Sequence, residues 1–270
     1  MLSGLLINHW TFLILFSVIH FGCWREYQRL IGLADKNYQS ITPFHKYGVM
    51  IAGWSILLFF SGDAYRVGGL QLHEAGWWLG LIGVFALPLL ELLLNPKIRP
   101  KNIGYSALGL GYVSLSMGLM MDLSKQFEFH LNDTIYIVNF GMIPLFITGC
   151  IWVNDTLAYL FGSMIGKTQL SKISPKKTWE GTICGILFTI AIAGFLSWQK
   201  NLPLSFLMVP AGIIAITGTV GDLLQSKIKR MAGVKDSGTL MPGHGGFLDR
   251  FDSMLIAIPF VWLYVIFMIK

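Results

Sequence analysis

The sequence predicts an all-α fold: a polytopic integral membrane bundle of about eight to nine transmembrane helices, with one broken helix near residues 154–155. Composition is the first observation behind this. The chain has 270 residues, 54% of them hydrophobic and only 13% charged, with a mean hydropathy of +0.62. A soluble domain carries about 25% charged residues. The second is a recurrence of apolar runs near the length needed to span a bilayer. The third is the placement of cations in a few short loops between those runs.

The runs are 4–24, 47–62, 75–94, 103–121, 182–198, 204–225 and 253–269. The run at 47–62 is short. Residues 135–165 are apolar but interrupted by Asn154 and Asp155. The segment is too long for one straight span and short for two, so a broken helix is expected there, or a full span followed by a short second one. Small residues four apart at Gly76/Gly80, Gly162/Gly166 and Gly181/Gly185 suit close helix contacts. The chain divides into an N-terminal transmembrane segment, 1–134, and a C-terminal transmembrane region, 135–270, that carries the motifs.

Loops 25–46, 95–102, 166–181 and 226–252 hold most of the lysines and arginines; only Arg66, Lys125, Lys200 and Lys270 lie elsewhere. A single crossing of 135–165 puts all four basic loops on one face, the cytoplasmic one by the positive-inside rule. The net charge of +6 therefore reflects membrane anchoring and gives no reason to expect nucleic acid. No cleavable leader is expected, because the N-terminus lacks a basic region and its apolar run is long enough to span. Cys23, Cys150 and Cys184 lie far apart, in or beside apolar runs, and imply neither a disulfide frame nor a zinc site.

Chemistry concentrates between Ser226 and Asp252. Lys229, Arg230, Lys235 and Arg250 stand among Asp236, Asp249 and Asp252, with His244 inside a Pro-Gly-His-Gly-Gly turn ending in Gly245 and Gly246. Cations hold phosphates, carboxylates hold a divalent metal, and glycines let backbone N–H groups approach a phosphate; together these suit phosphoryl chemistry. Asp222, Ser226 and Lys229 at i, i+4 and i+7 share one face of a helix extended past the membrane. Asp249 and Asp252 also share a face where the last helix begins, and capping competes with metal binding at Asp252. His244 is open to phosphate donation, proton transfer or simply fixing the turn. Asp155, Glu180 and Asp222 sit in or at the edge of apolar runs, where a charge is costly unless paired or solvated. A second basic cluster, Ser174 to Gly181, offers Lys176 and Lys177, which are either membrane anchors or phosphate ligands. A transporter would spread its acids along a path through the bundle, whereas these charges gather in two loops.

The spacing Ser226, Ile228, Lys229-Arg230, Lys235-Asp236, Gly238, Pro242, His244-Gly245-Gly246, Phe247, Asp249-Arg250, Phe251, Asp252 closely resembles the signature of the phosphatidate cytidylyltransferases, or CDP-diacylglycerol synthases. Met241 stands where Leu, Ile or Phe is usual. The block Ser174 to Gly181 matches too, as do Asp155-Thr156 and Ala158-Tyr159, with Leu157 where Gly is common. The resemblance implies transfer of a cytidylyl group from CTP to phosphatidate, giving CDP-diacylglycerol and pyrophosphate. It implies about nine membrane helices, a homodimer and Mg²⁺ in a di-metal centre held by Asp222 and Asp249. On that reading Lys229, Arg230, Lys235, Asp236, His244 and Arg250 form the catalytic set, and Ser226, Lys176, Lys177, Gly245 and Gly246 bind substrate. Asp155, Glu180 and Asp252 sit at the site's edge. The expected location is a bacterial-type inner or cell membrane, with the active site facing the cytoplasm. CTP-dependent polyprenol kinases share related C-terminal blocks and form the alternative within the same chemistry.

Sidedness is directly testable. A single cysteine replacing Lys176 or Lys235 is expected to react with a membrane-impermeant reagent from the same face, and one replacing Lys125 from the other. Labelling of the first two from opposite faces would mean that 135–165 crosses twice.

Overall fold

The computed structural model describes residues 8–94, 99–131, 134–238 and 245–269. Helix dominates. Helix α1 (His9–Ala34) starts at Asn8, whose side chain accepts the Trp10 N–H, and a 3₁₀ turn, Lys36–Ser40, follows it. Helix α2 (Pro43–Phe59) has Thr42 as its cap and proline in its first turn, where no N–H is needed. A two-stranded hairpin, β1 (Arg66–Val67) and β2 (Leu70–Gln71), turns through Gly68 and Gly69, both at positive φ. Helix α3 (Leu72–Leu81) continues through a π-helical turn, Ile82–Ala86, into α4 (Leu87–Leu94). Likewise α5 (Pro100–Gly109) runs through a π turn, Leu110–Leu115, into α6 (Ser116–Leu123). Strands β3 (Phe127–Leu131) and β4 (Thr134–Val138) form a second hairpin before α7 (Met142–Ile165). A third, β5 (Gln169–Ser171) with β6 (Ser174–Thr178), leads into α8 (Trp179–Gln199). Helices α9 (Leu204–Met231) and α10 (Leu248–Ile269) complete the described elements.

The chain forms two compact units. One comprises the described residues up to Phe127 with Asn139–Gly141 and Ile228–Arg250. Its core is built on Phe12, Phe16, Trp24, Leu30, Leu57, Met117 and Met120, all with no solvent exposure. Several polar side chains inside it are joined to one another. Ser114 Oγ lies 3.0 Å from His20 Nε2 and accepts from Trp24 Nε1 at 2.7 Å. Ser106 Oγ lies 2.8 Å from His45 Nε2 and 3.0 Å from Tyr38 Oη. Thr42 Oγ1 donates to Glu91 Oε1 at 2.6 Å. At the end of α1, Asp35 pairs with Lys101, and this bond holds its carboxyl down at about 2.

The other unit comprises Glu128–Val138, Met142–Lys227 and the chain from Phe251 onward. Helices α7 and α8 pack tightly within it because glycine faces glycine. A Cβ on Gly181 would lie 2.5 Å from the Ala158 carbonyl oxygen and 2.7 Å from Gly162 Cα. The spacing of these glycines thus marks a real helix contact, and Gly76 does the same where α3 meets the Ser55 and Leu58 backbone of α2. Large apolar side chains cover outer surfaces: Phe85 is 71% exposed, and Trp198 and Phe267 are similar. Such a surface suits lipid, and the protein is an integral membrane protein.

Two expectations change. No break occurs near residues 154–155, because α7 is one continuous helix through Asn154 and Asp155. Neither residue is Pro or Gly, so the backbone stays helical; Asn154 is buried against Gly185 of α8, and its Nδ2 donates to Asp155 Oδ1 at 3.4 Å. The segment looked too long for one span because its start, up to Val138, belongs to the β4 strand. Three small hairpins also add strand to an all-α expectation. Six helices among the described residues are long and apolar enough to cross a membrane by length and composition. The regions expected at 4–24 and 47–62 fall on α1 and α2. Helix α1 carries Arg25, Glu26 and Arg29 in its second half, and the 17 residues of α2 reach only about 25 Å.

Gly181→Ala is expected to destabilise the protein by about 1–3 kcal/mol, since the added methyl meets backbone that cannot rotate away. Gly149→Ala, where nothing lies within 4 Å of the new Cβ, is the control. The comparison is the thermal unfolding midpoint of the two variants in one detergent.

Candidate active site

The polar stretch that follows Ser226 begins on a helix. Helix α9 runs unbroken to Met231, so Asp222, Ser226 and Lys229 lie within one helix, as their spacing requires. Gly233, at φ 71°, ends it, and the Val234 N–H donates to the Lys229 carbonyl at 3.0 Å. Downstream, α10 starts at Leu248 with Asp249 in its first turn. The two helices are tied by their charges. Lys229 Nζ donates to Asp249 Oδ1 at 2.6 Å, with the side chains 13% and 11% exposed.

The other Asp249 oxygen gathers the loop. Oδ2 accepts the Ser237 N–H at 2.8 Å, the Ser237 hydroxyl at 2.9 Å and the Gly246 N–H at 3.0 Å. One carboxylate thus holds Ser237 and Gly246 together. Gly245 adopts φ 79°, and a Cβ there would lie 2.7 Å from Asp249 Oδ2. Glycine is thus required at 245 by conformation and by space together.

A second carboxylate reaches the same loop. Glu26 of α1 is 8% exposed. It accepts the Phe247 and Leu248 N–H groups at 2.9 Å each, and its Oε2 lies 2.5 Å from the Ser237 hydroxyl, which donates to it or to Asp249 but not to both at once. Two of these donors are unpaired N–H groups at the start of α10, where negative charge is favoured. Nothing in the sequence analysis singled out Glu26 or Ser237. The available signal was slight: a carboxylate one helical turn after Gly22, in a loop otherwise rich in cations.

The remaining catalytic-set residues lie near this clasp in sequence and toward solvent. Arg230 is exposed, with Nη1 donating to the Val234 carbonyl at 3.2 Å. Lys235, Asp236 and Arg250 are exposed as well. His244 lies outside the described residues.

In the unit that contains α7 and α8, Lys177 on β6 pairs with Asp222 on α9, and Asp155 on α7 is within electrostatic reach of both. Lys176 beside it is exposed, and Ser226 is half-buried. Glu180 accepts the N–H groups of Lys167 at 3.2 Å and Thr168 at 3.1 Å, which pins the base of the β5–β6 hairpin to the first turn of α8. Asp252 Oδ1 accepts the Ser253 N–H at 2.7 Å, while its carbonyl faces Gly221 closely enough that a Cβ there would lie 2.6 Å away.

Each unit thus holds a lysine–carboxylate pair, Lys177–Asp222 in one and Lys229–Asp249 in the other, and a lysine can hold a phosphate while a carboxylate takes a divalent cation. Among the described residues, no three His, Cys, Asp or Glu side chains gather into a metal-holding group. Mg²⁺ does not need one. It takes one or two carboxylates and completes its shell with phosphate oxygens and water, and Asp222 and Asp249 are oxygen donors of that kind.

A profile described as the cytidylyltransferase family matches residues 1–268. The chain belongs to the cytidylyltransferase family. Its relatives include a phosphatidate cytidylyltransferase of Synechocystis sp., 39% identical over 99% of this chain and 92% of that one. A Bacillus subtilis phosphatidate cytidylyltransferase is 29% identical over 77% of this chain and 74% of its own length. The chloroplastic phosphatidate cytidylyltransferase 4 of Arabidopsis thaliana is 52% identical over 107 residues, 38% of this chain and 27% of that one. As a family member the chain is a nucleotidyltransferase.

Asp249→Asn leaves one acceptor oxygen for four donors and removes the charge that offsets Lys229. Turnover is expected to fall by at least about 10²-fold. Asp252 lies beyond the first turn of α10 and so does not cap it; Asp252→Asn is expected to retain measurable activity, because the amide oxygen still accepts the Ser253 N–H. Steady-state rates of both purified variants check the contrast, and equal loss in the two would place Asp252 in the metal site or against it.

Proposed function

We propose that this chain is a phosphatidate cytidylyltransferase that makes CDP-diacylglycerol for phospholipid synthesis. The observation that carries the reading is the Lys229–Asp249 clasp, which gathers Ser237 and Gly246 inside a stretch bearing the family's motif. A phosphatidate phosphate oxygen attacks the α-phosphorus of CTP, the bond to the β-phosphate oxygen breaks, and pyrophosphate leaves. The attacking phosphate monoester is already ionised near neutral pH, so no strong base is needed, and catalysis is positioning plus charge neutralisation. Lys229, Arg230, Lys235 and Arg250 hold triphosphate and lipid phosphate, with Lys176 and Lys177 as further ligands. Asp222 and Asp249 are the proposed Mg²⁺ ligands; the ion, when bound, offsets charge on the attacking and leaving oxygens.

The acyl chains stay in the bilayer and CTP arrives from the cytoplasm, so the basic loops face that side. Helices α1 and α2 cross along with the six more apolar helices, giving eight crossings, in a bacterial-type inner membrane. The resemblance adds a homodimer. Purified protein given phosphatidate, Mg²⁺ and CTP labelled at the α-phosphate is expected to form labelled CDP-diacylglycerol. Label confined to CDP, with the γ-phosphate on a lipid alcohol, would identify a lipid kinase instead.

A further inference from the structure

We infer that Glu26 is a positioning residue for the cytidylyl-transfer site, holding the catalytic stretch in register from helix α1; this rests on the function proposed above. Its carboxylate is the partner of Ser237 Oγ, Phe247 N and Leu248 N at 2.5, 2.9 and 2.9 Å. Those groups are the immediate neighbours of everything Asp249 holds. Ser237 Oγ lies between the two carboxylates, 2.5 Å from Glu26 Oε2 and 2.9 Å from Asp249 Oδ2. Its single hydrogen serves one of them at a time, so the hydroxyl couples the two carboxylates mechanically.

The surroundings are shaped for this side chain. A Cβ on Gly238 would lie 2.7 Å from Glu26 Cδ, and one on Gly246 would meet both carboxylate oxygens. Two motif glycines therefore leave room for a carboxylate brought from more than 200 residues away in the chain. One turn earlier on α1, a Cβ on Gly22 would lie 2.5 Å from Phe247 Cγ. Phe247 is thus seated twice on the same turn of α1, by its ring on Gly22 and by its N–H on Glu26. A carboxylate this buried is costly without donors, and the donors at a helix start are costly without an acceptor, so each fixes the other.

Loss of Glu26 frees the start of α10 and Ser237, and Asp249 loses its register against Lys229. Glutamine cannot substitute. It has one acceptor oxygen, and its NH₂ would face an N–H or O–H donor.

The test compares wild type, Glu26→Gln, Ser237→Ala and the double variant, purified in detergent, with kinetics expressed per folded molecule. For Glu26→Gln, kcat/KM for CTP is expected to fall by about 10–100-fold, and the double variant to lose no more than its worse single, since both open one clasp. Amide hydrogen exchange is expected to speed up at residues 245–250 and to stay unchanged in α7 and α8. Unchanged kcat/KM per folded molecule with only a lower unfolding midpoint, or fully multiplicative losses, would overturn the proposal. So would tighter CTP binding in Glu26→Gln, which would make the carboxylate a stand-in for substrate phosphate. Should Glu26→Gln fail to fold, Ser237→Ala decides alone, a fall of about 5-fold or more supporting the coupling and no change overturning it. A wild-type protein that makes no CDP-diacylglycerol sinks the functional reading, and the exchange pattern still decides whether Glu26 positions the loop.

Discussion

A carboxylate removed from water must find donors, and that requirement organises the catalytic stretch. Glu26 and Asp249 together take up Ser237, Gly246, Phe247 and Leu248, while Lys229 offsets the charge of Asp249. Glycines at 238, 245 and 246 follow from this arrangement, because each sits where a side chain would strike one of the two acids. Among the cations beside the loop, Lys229 pairs with Asp249 and Arg230 donates to the Val234 carbonyl, while Lys235 stands exposed.

The same requirement recurs in both units at a smaller scale. Serines on the helices of the N-terminal unit join pairs of larger polar groups, as Ser114 does for His20 and Trp24. In the other unit, Lys177 answers Asp222 and Glu180 answers the hairpin amides. An apolar environment makes each such bond worth keeping, since water is not there to replace it.

Much of this was legible in the sequence, and the limits have physical causes. Apolar runs became helices because nothing else satisfies the backbone in lipid. The glycine spacings at 162/166 and 181/185 named a true contact, since close approach needs a missing Cβ. Lys229 and Asp249 stood out as charges in a dense motif, although their mutual pairing depends on where α10 begins. Asn154 and Asp155 misled, because polarity in an apolar run can be met by a side chain as readily as by a broken backbone. Glu26 was invisible for a different reason. It acts alone, far from its partners, and a single acid among cations carries no spacing to read.

Glu26 and Leu248 lie 222 positions apart, which bears on how the protein comes into being. Helix α1 is made long before the ribosome reaches α10, and through that interval its carboxylate has none of its final partners. Closing so long a loop is entropically slow compared with pairing neighbouring helices. The clasp can close only once α10 has been made, so the register of these residues depends on both ends of the chain being in place.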